Sequence, residues 1–171
     1  MYIGLTGYMG TGKGEIAKKL QNQGYKYISL SDMVREEADR RGINHTRESL
    51  QEIGNELRQA QGPGVLGIRV RETIEREEGD ALGTGKWIID GIRNPQEAIE
   101  IKRIPKSKLL SVTSSLTTIT SRLKTRKRPG EEGLTKDQVF ERLKKESGIG
   151  EDAGGQQVQK CLEMSDFLLI N

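Results

Sequence analysis

Apolar positions in this chain fall into short runs, separated by longer stretches in which they recur at helical spacing. Met1-Tyr2-Ile3-Gly4-Leu5-Thr6 reads as a short buried strand, and a helix starting near Gly12 carries Ile16, Ala17 and Leu20. Tyr25-Lys26-Tyr27-Ile28-Ser29-Leu30 predicts a second strand, with Ser31 as N-cap of a helix over 32–41. Gly42 stops that helix, and Thr46 caps the next, in which Leu50, Ile53 and Leu57 keep helical spacing. Gly62-Pro63-Gly64 breaks it, and Pro63 lies at the start of a helix with Leu66, Val70 and Ile74. Residues 77–86 read as a polar surface connection. Trp87-Ile88-Ile89-Asp90 predicts a buried strand ending in a carboxylate, and Pro95 opens a short helix through Ile101. A strand over 109–113 precedes a basic helix over 115–127 and the loop Pro129-Gly130-Glu131-Glu132-Gly133. Thr135-Lys136-Asp137-Gln138 is a capping box for a further helix. Residues 148–155 read as flexible, and a helix over 156–164 leads to the strand Phe167-Leu168-Leu169-Ile170.

Apolar runs alternating with helices indicate a parallel sheet covered on both faces, an α/β fold built as a three-layer α/β/α sandwich. With 171 residues, a single domain over 1–171 with a real core is expected. Ligands of such sheets bind beyond the carboxyl ends of the strands.

At that end lies Gly7-Tyr8-Met9-Gly10-Thr11-Gly12-Lys13-Gly14, which has the spacing of the phosphate-binding P-loop G-x-x-x-x-G-K. Glycines let backbone amides turn inward around an anion, the helix N-terminus adds its positive end, and Lys13 brings a mobile charge to the β/γ-phosphates. Strand, glycines, lysine and helix together argue against glycines that merely serve a turn. The position that normally holds Ser or Thr is Gly14, followed by Glu15. Gly7, Gly10, Thr11, Gly12, Lys13, Gly14 and Glu15 are therefore the expected nucleotide contacts.

Asp90 ends its strand as a Walker B aspartate does, where it can orient Mg²⁺ or the water around the ion; the plainer role is capping the following turn. Arg35, Arg58 and Arg93 fall at or near the same end and suit bidentate contact with an acceptor phosphate. Arg122 and Arg126 stand four apart on one helix face, and Arg128 precedes Pro129-Gly130. A helix–loop–helix over about 122–148 bearing these cations could close as a lid, excluding water and neutralising the migrating group.

Composition narrows this picture little. A net charge of +3 suits an anionic small molecule as well as nucleic acid, but aromatic residues are only 4% of the chain, too few for base stacking. One histidine, His45, and one cysteine, Cys161, argue against a His/Cys zinc centre and a disulfide framework. With no signal-peptide pattern and no long apolar run, a cytoplasmic protein with neither membrane nor nucleic-acid partner is expected.

Taken together, these landmarks resemble the nucleoside monophosphate kinase group, relatives of adenylate kinase and dephospho-CoA kinase. Ser31-Asp32-Met33-Val34-Arg35 looks like that group's Asp-x-x-Arg element, and Asp90-Gly91-Ile92-Arg93 its Asp-Gly-x-Pro-Arg segment without the proline. Thr46-Arg47-Glu48-Ser49-Leu50-Gln51, Gly54-Asn55-Glu56-Leu57-Arg58 and Gly155-Gln156-Gln157-Val158 are similar to a kinase-like domain found beside deoxycytidylate deaminases, and to stand-alone archaeal nucleotide kinase-like proteins. The deaminase's zinc signature is absent.

The resemblance implies ATP and Mg²⁺ as cofactors and a helical substrate-binding insert over about 31–78. It also implies transfer of a phosphoryl group to a nucleoside or deoxynucleoside monophosphate. Lys13, Asp90, Arg122, Arg126 and Arg128 would carry the reaction, Asp32, Arg35, Arg58 and Arg93 the acceptor, and Glu15 with Asp90 the metal. Dephospho-CoA kinase-like activity with Asp32 as base, and a nucleotide-sensing module regulating a deaminase partner, stay open, as does a homodimer.

Overall fold

The structure, a computed structural model, describes residues 1–125 and 133–171. In chain order the elements are β1 (Tyr2–Thr6), α1 (Lys13–Gln21), β2 (Lys26–Ser29), α2 (Leu30–Arg41), α3 (Arg47–Gln61) and α4 (Val65–Glu78). After a 3-10 turn at Gly79–Ala81 come β3 (Trp87–Ile92), α5 (Pro95–Lys102), β4 (Ser107–Thr113) and α6 (Leu116–Thr125). Beyond the segment left undescribed lie α7 (Lys136–Ser147), α8 (Val158–Glu163) and β5 (Phe167–Ile170). The five strands form one sheet in the order β2-β3-β1-β4-β5, with every pairing parallel. The P-loop thus leaves the central strand, flanked by β3 and β4.

Alternation along the strands sorts the core into two layers. Ile3, Leu5, Ile88 and Leu110 face one way and pack under Ile16, Ala17 and Leu20 of α1. Tyr2, Trp87, Ile89 and Leu109 face the other way, toward α2–α5 and Cys161 of α8. A separate cluster joins Met9 of the loop to Ile119 and Leu123 of α6 and to Leu134 and Val139 at α7. The three-layer sandwich is therefore as the patterning predicts. β5 is an edge strand whose four side chains are all exposed.

Several local expectations need correcting. Ser29, not Ser31, is the N-cap of α2: its Oγ accepts the Ser31 amide at 3.1 Å, so β2 passes straight into the helix. Gly64 precedes α4, and Pro63 stands outside the helix. β3 runs two residues past Asp90, because Gly91 is accommodated as an extra residue between the Leu5–Asp90 and Thr6–Ile92 pairings. Thr6 Oγ1 donates to the Ile92 carbonyl at 2.9 Å across that irregularity.

The stretch 148–155, read as flexible from its glycines, is tied down: Asn94 Nδ2 donates to the carbonyls of Ala153 at 2.9 Å and Gly155 at 3.0 Å. Gly154 and Gly155 are buried, and α8 spans only Val158–Glu163. Gly42, Thr46 and the Thr135–Gln138 capping box act as predicted. Arg126, Arg128 and the loop tip lie outside the described residues.

α4 comes close to α5 at Gly67, where a Cβ would stand 2.8 Å from both Cα and O of Glu97. In an open helix, alanine there would gain about 1 kcal/mol over glycine. Against a backbone that cannot yield, Gly67→Ala should instead destabilise by about 1–3 kcal/mol, read as a lower midpoint in urea unfolding.

Candidate active site

Beyond the carboxyl ends of β1, β2 and β3 opens a cleft of about 1240 Å³, walled on one side by the P-loop and on the other by α2 and α3. The loop's path depends on glycine at two points in particular. Gly7 has φ 136°, and a Cβ there would run into the Val112 carbonyl of β4. Gly12, at φ 99°, leads into α1, and a Cβ would meet the Asn171 side chain. Gly14 differs: it is helical, and nothing lies within 4 Å of its Cβ direction. The turn therefore does not require glycine there.

Lys13 folds back over the loop, its ammonium donating to the carbonyls of Gly7 at 2.5 Å and Tyr8 at 2.7 Å. Arg122 reaches the loop from α6, with Nη1 donating to the Thr11 carbonyl at 3.1 Å, where Asn171 Nδ2 also donates at 3.0 Å. Thr11 itself is buried, and its hydroxyl donates to the Tyr8 carbonyl at 2.9 Å, so it faces the loop's own backbone. Met9 anchors the loop by its side chain in the α6–α7 cluster and by its amide, which donates to Glu146 Oε2 at 2.9 Å.

Asp90 faces the loop across the cleft. Its Oδ2 accepts the Tyr27 hydroxyl at 3.0 Å, while Oδ1 is buried with no hydrogen-bond partner. Burial first, and the Asp90 carboxylate second, push the Tyr27 phenol up to about 12, so Tyr27 remains a donor that orients Asp90. An orphaned carboxylate oxygen beside a phosphate-binding loop fits Mg²⁺, which takes one or two carboxylates and keeps much of its water. Glu15 also lines the cleft, but its exposed carboxylate sits 3.4 Å from Lys18.

The arginines occupy three different situations. Arg35 lines the cleft half-exposed and pairs with Asp32 at 2.6 Å. Asp32 is not part of the cleft wall. Arg58 is buried, its Nε donating to Glu97 Oε1 at 2.8 Å. Glu97 Oε2 accepts the amides of Arg93 at 2.9 Å and Asn94 at 3.0 Å, so one carboxylate orders both Arg58 and the turn that carries Arg93. The Arg93 guanidinium lies 3.3 Å from Gln156 Oε1 and 3.6 Å from Glu146 Oε1.

Sequence reasoning missed Tyr27, Arg47, Glu97, Glu146 and Gln156. Arg47 lies at the start of α3, lines the cleft, and donates to Glu146 Oε1 at 2.7 Å. Glu146 belongs to Lys144-Lys145-Glu146-Ser147, a run that reads as a solvated helix face, and no signal in the sequence marks it as buried.

A family described as an AAA domain matches residues 3–141. A UPF0200 protein of Pyrococcus horikoshii is 33% identical, the match covering 100% of this chain and 88% of that protein. A UPF0200 protein of Methanothermobacter thermautotrophicus is 30% identical over 99% of this chain and 80% of its own length. Among solved structures, the Thermus thermophilus protein TT1252 superimposes with a TM-score of 0.59 at 19% identity, covering 100% of this chain and 88% of that one. Shikimate kinase from Bacteroides thetaiotaomicron gives 0.58 at 16% identity over 99% and 86%, a likeness of fold alone. Matched over most of its length, with a P-loop on the central strand of a parallel sheet, the chain belongs to the AAA-domain family of P-loop proteins and to the UPF0200 proteins, and its fold is kinase-like.

Proposed function

We propose that the protein is an ATP-dependent kinase that moves the γ-phosphoryl group of ATP onto a nucleoside or deoxynucleoside monophosphate. The observation that carries this reading is the meeting, in one cleft, of the P-loop with Lys13, the half-satisfied Asp90, and the arginines 35, 58, 93 and 122. In-line transfer needs no protein nucleophile, and catalysis rests on placement and charge. Backbone amides of Gly10 to Gly14 and the Lys13 ammonium hold the β- and γ-phosphates, for which Lys13 gives up the loop carbonyls. Arg35 and Arg93 orient the acceptor, whose phosphate oxygen attacks γ-phosphorus as the bond to the leaving ADP oxygen breaks. Arg58, neutralised by Glu97, serves the cleft wall and its charge balance. Arg122, with Arg126 and Arg128 in the proposed lid, neutralises the transferring group. Mg²⁺, held by Asp90 with Glu15 toward its water, would supply charge neutralisation at the phosphate oxygens.

A second reading has a specific observation behind it. The loop resembles that of adenylate kinase, which also has glycine after its lysine but then threonine; Glu15 in that place, with the hydroxyl lost, fits a module that binds a nucleotide without turning it over and regulates a partner such as a deaminase. Dephospho-CoA kinase-like activity is less well supported, because its base, Asp32, is engaged by Arg35 at 2.6 Å. Among the described residues no helix is long and apolar enough to cross a membrane; a cytoplasmic location and a homodimer belong to the proposal. A coupled assay of ADP release over all NMPs, dNMPs and dephospho-CoA separates these readings. Turnover with a monophosphate supports the first, and silence across the panel with tight nucleotide binding supports the sensor.

Lys13→Ala removes a charge-assisted contact of about 1.5–3 kcal/mol. ATP affinity measured by calorimetry should fall about 10- to 100-fold with the melting temperature unchanged; equal affinity would sink the P-loop assignment.

Gly14 has room for a side chain, so Gly14→Ser should fold normally and gain a few tenths of a kcal/mol of helix stability. In a kinase, Glu15→Thr, which restores the adenylate kinase pattern, should retain much of the Mg²⁺-dependent ADP release. A variant that stays silent with every acceptor, as the wild type would in a sensor, counts against the catalytic reading.

A further inference from the structure

Glu146 stands at the carboxyl end of α7, is 4% exposed, and is not part of the cleft wall. Its carboxylate nevertheless meets three separate parts of the site. Oε2 accepts the Met9 amide of the P-loop at 2.9 Å, and Oε1 accepts from Arg47 of α3 at 2.7 Å and lies 3.6 Å from Arg93 beyond β3. Both arginines do line the cleft. Burial alone would raise the Glu146 carboxyl, but Arg93, Arg47, the Met9 amide and Lys13 outweigh it and hold the group below the usual carboxylate range.

One carboxylate thus faces two guanidinium groups, both of which line the cleft. A buried carboxylate whose sole purpose was to satisfy one partner would not need to join the loop, the insert helix and the strand end. We propose that Glu146 is a positioning residue: it fixes Arg47 and Arg93 as a two-arginine cradle for the acceptor's phosphate and locks that cradle to the P-loop through the Met9 amide. Arg47 thereby joins Arg93 as a phosphate ligand.

Met9 also packs with Ile119, Leu123 and Val139, so apolar contact ties α6 and α7 to the same loop residue whose amide Glu146 accepts. Donor and acceptor phosphates are thus held in one register by contacts that neither of them makes. The inference rests on the kinase reading for the identity of the acceptor alone.

The test uses the whole chain with its P-loop filled by Mg²⁺ and a non-hydrolysable ATP analogue, and inorganic phosphate as the probe. Glu146→Gln keeps the shape and an acceptor oxygen for Met9 but removes the charge that orders the guanidiniums. Phosphate affinity by calorimetry should fall about 10-fold, the lower end of a charge-assisted contact, while affinity for the analogue changes less than about threefold. The side-chain Nε–H signals of Arg47 and Arg93 should shift and broaden, which a merely structural role elsewhere in α7 would not cause. In an active enzyme the acceptor KM should rise more than kcat falls.

Unchanged phosphate affinity in Glu146→Gln would overturn the proposal. So would tighter binding, which would mean that the carboxylate competes with the ligand, and so would a wild type that takes up no phosphate. Should Glu146→Gln fail to fold, Arg47→Gln and Arg93→Gln leave Met9 capped, and each should lose phosphate affinity; if neither does, there is no cradle. Phosphate results of the expected kind, with no ADP release from any acceptor, would remove the kinase reading and leave this one standing. Turnover with an unaltered phosphate affinity and KM in Glu146→Gln would do the reverse.

Discussion

Two carboxylates withdrawn from water, Glu97 and Glu146, set where three arginines of the cleft stand: Arg58, Arg47 and Arg93. A buried charge is costly unless donors surround it, so each carboxylate draws its donors from whatever elements can reach it. Glu97 gathers Arg58 from α3 and two amides from the turn after β3; Glu146 gathers Arg47, Arg93 and the Met9 amide. Between them they hold four segments in register around the P-loop: the loop itself, the insert helix, the strand end and α7. Removing Glu97 would leave the Arg58 guanidinium buried without its carboxylate, and removing Glu146 would leave the Met9 amide without its acceptor, so the pairs specify an arrangement even where their net stabilisation is small.

The loop adds a second constraint of a different kind. Its amides can converge on an anion because Gly7 and Gly12 take conformations that L side chains rarely adopt, hard against β4 and Asn171. Its carbonyls accept from the Lys13 ammonium, the Arg122 guanidinium and the Asn171 amide, so two cations stand against the loop. On the proposed function, a triphosphate would find these two charges already beside the loop. Such preorganisation reduces the reordering that binding requires.

Across the cleft, Asp90 is held by one hydrogen bond to Tyr27 and retains one oxygen without a partner. Buried oxygens of that sort are uncommon and point to an ion or ordered water as the missing partner. The departure at Glu15 belongs to the same question, because a carboxylate stands where the adenylate kinase loop carries a hydroxyl. Nothing lies within 4 Å of the Gly14 Cβ direction, so the path of the loop does not depend on glycine there.

The sequence by itself determined the layered fold, the P-loop and a strand that carries the carboxylate Asp90 near its carboxyl end. Those features depend on local rules: alternation in strands, helical spacing of Leu50, Ile53 and Leu57, caps at Thr46 and Thr135, and glycines at fixed offsets from Lys13. The same rules misplaced the cap of α2 by two residues, since Ser29 and Ser31 offer identical side chains and only the end of β2 pairing chooses between them. They also took 148–155 for a flexible stretch, when its carbonyls are claimed by Asn94 from sixty residues away. What tertiary structure alone decided is which charges are solvated. Asp32 and Glu146 are both acids on helices in sequence; one lies half-exposed outside the cleft wall beside Arg35, while the other is enclosed by two arginines and an amide. That difference is made by packing between segments as far apart as Met9 and Glu146, and no local pattern carries it.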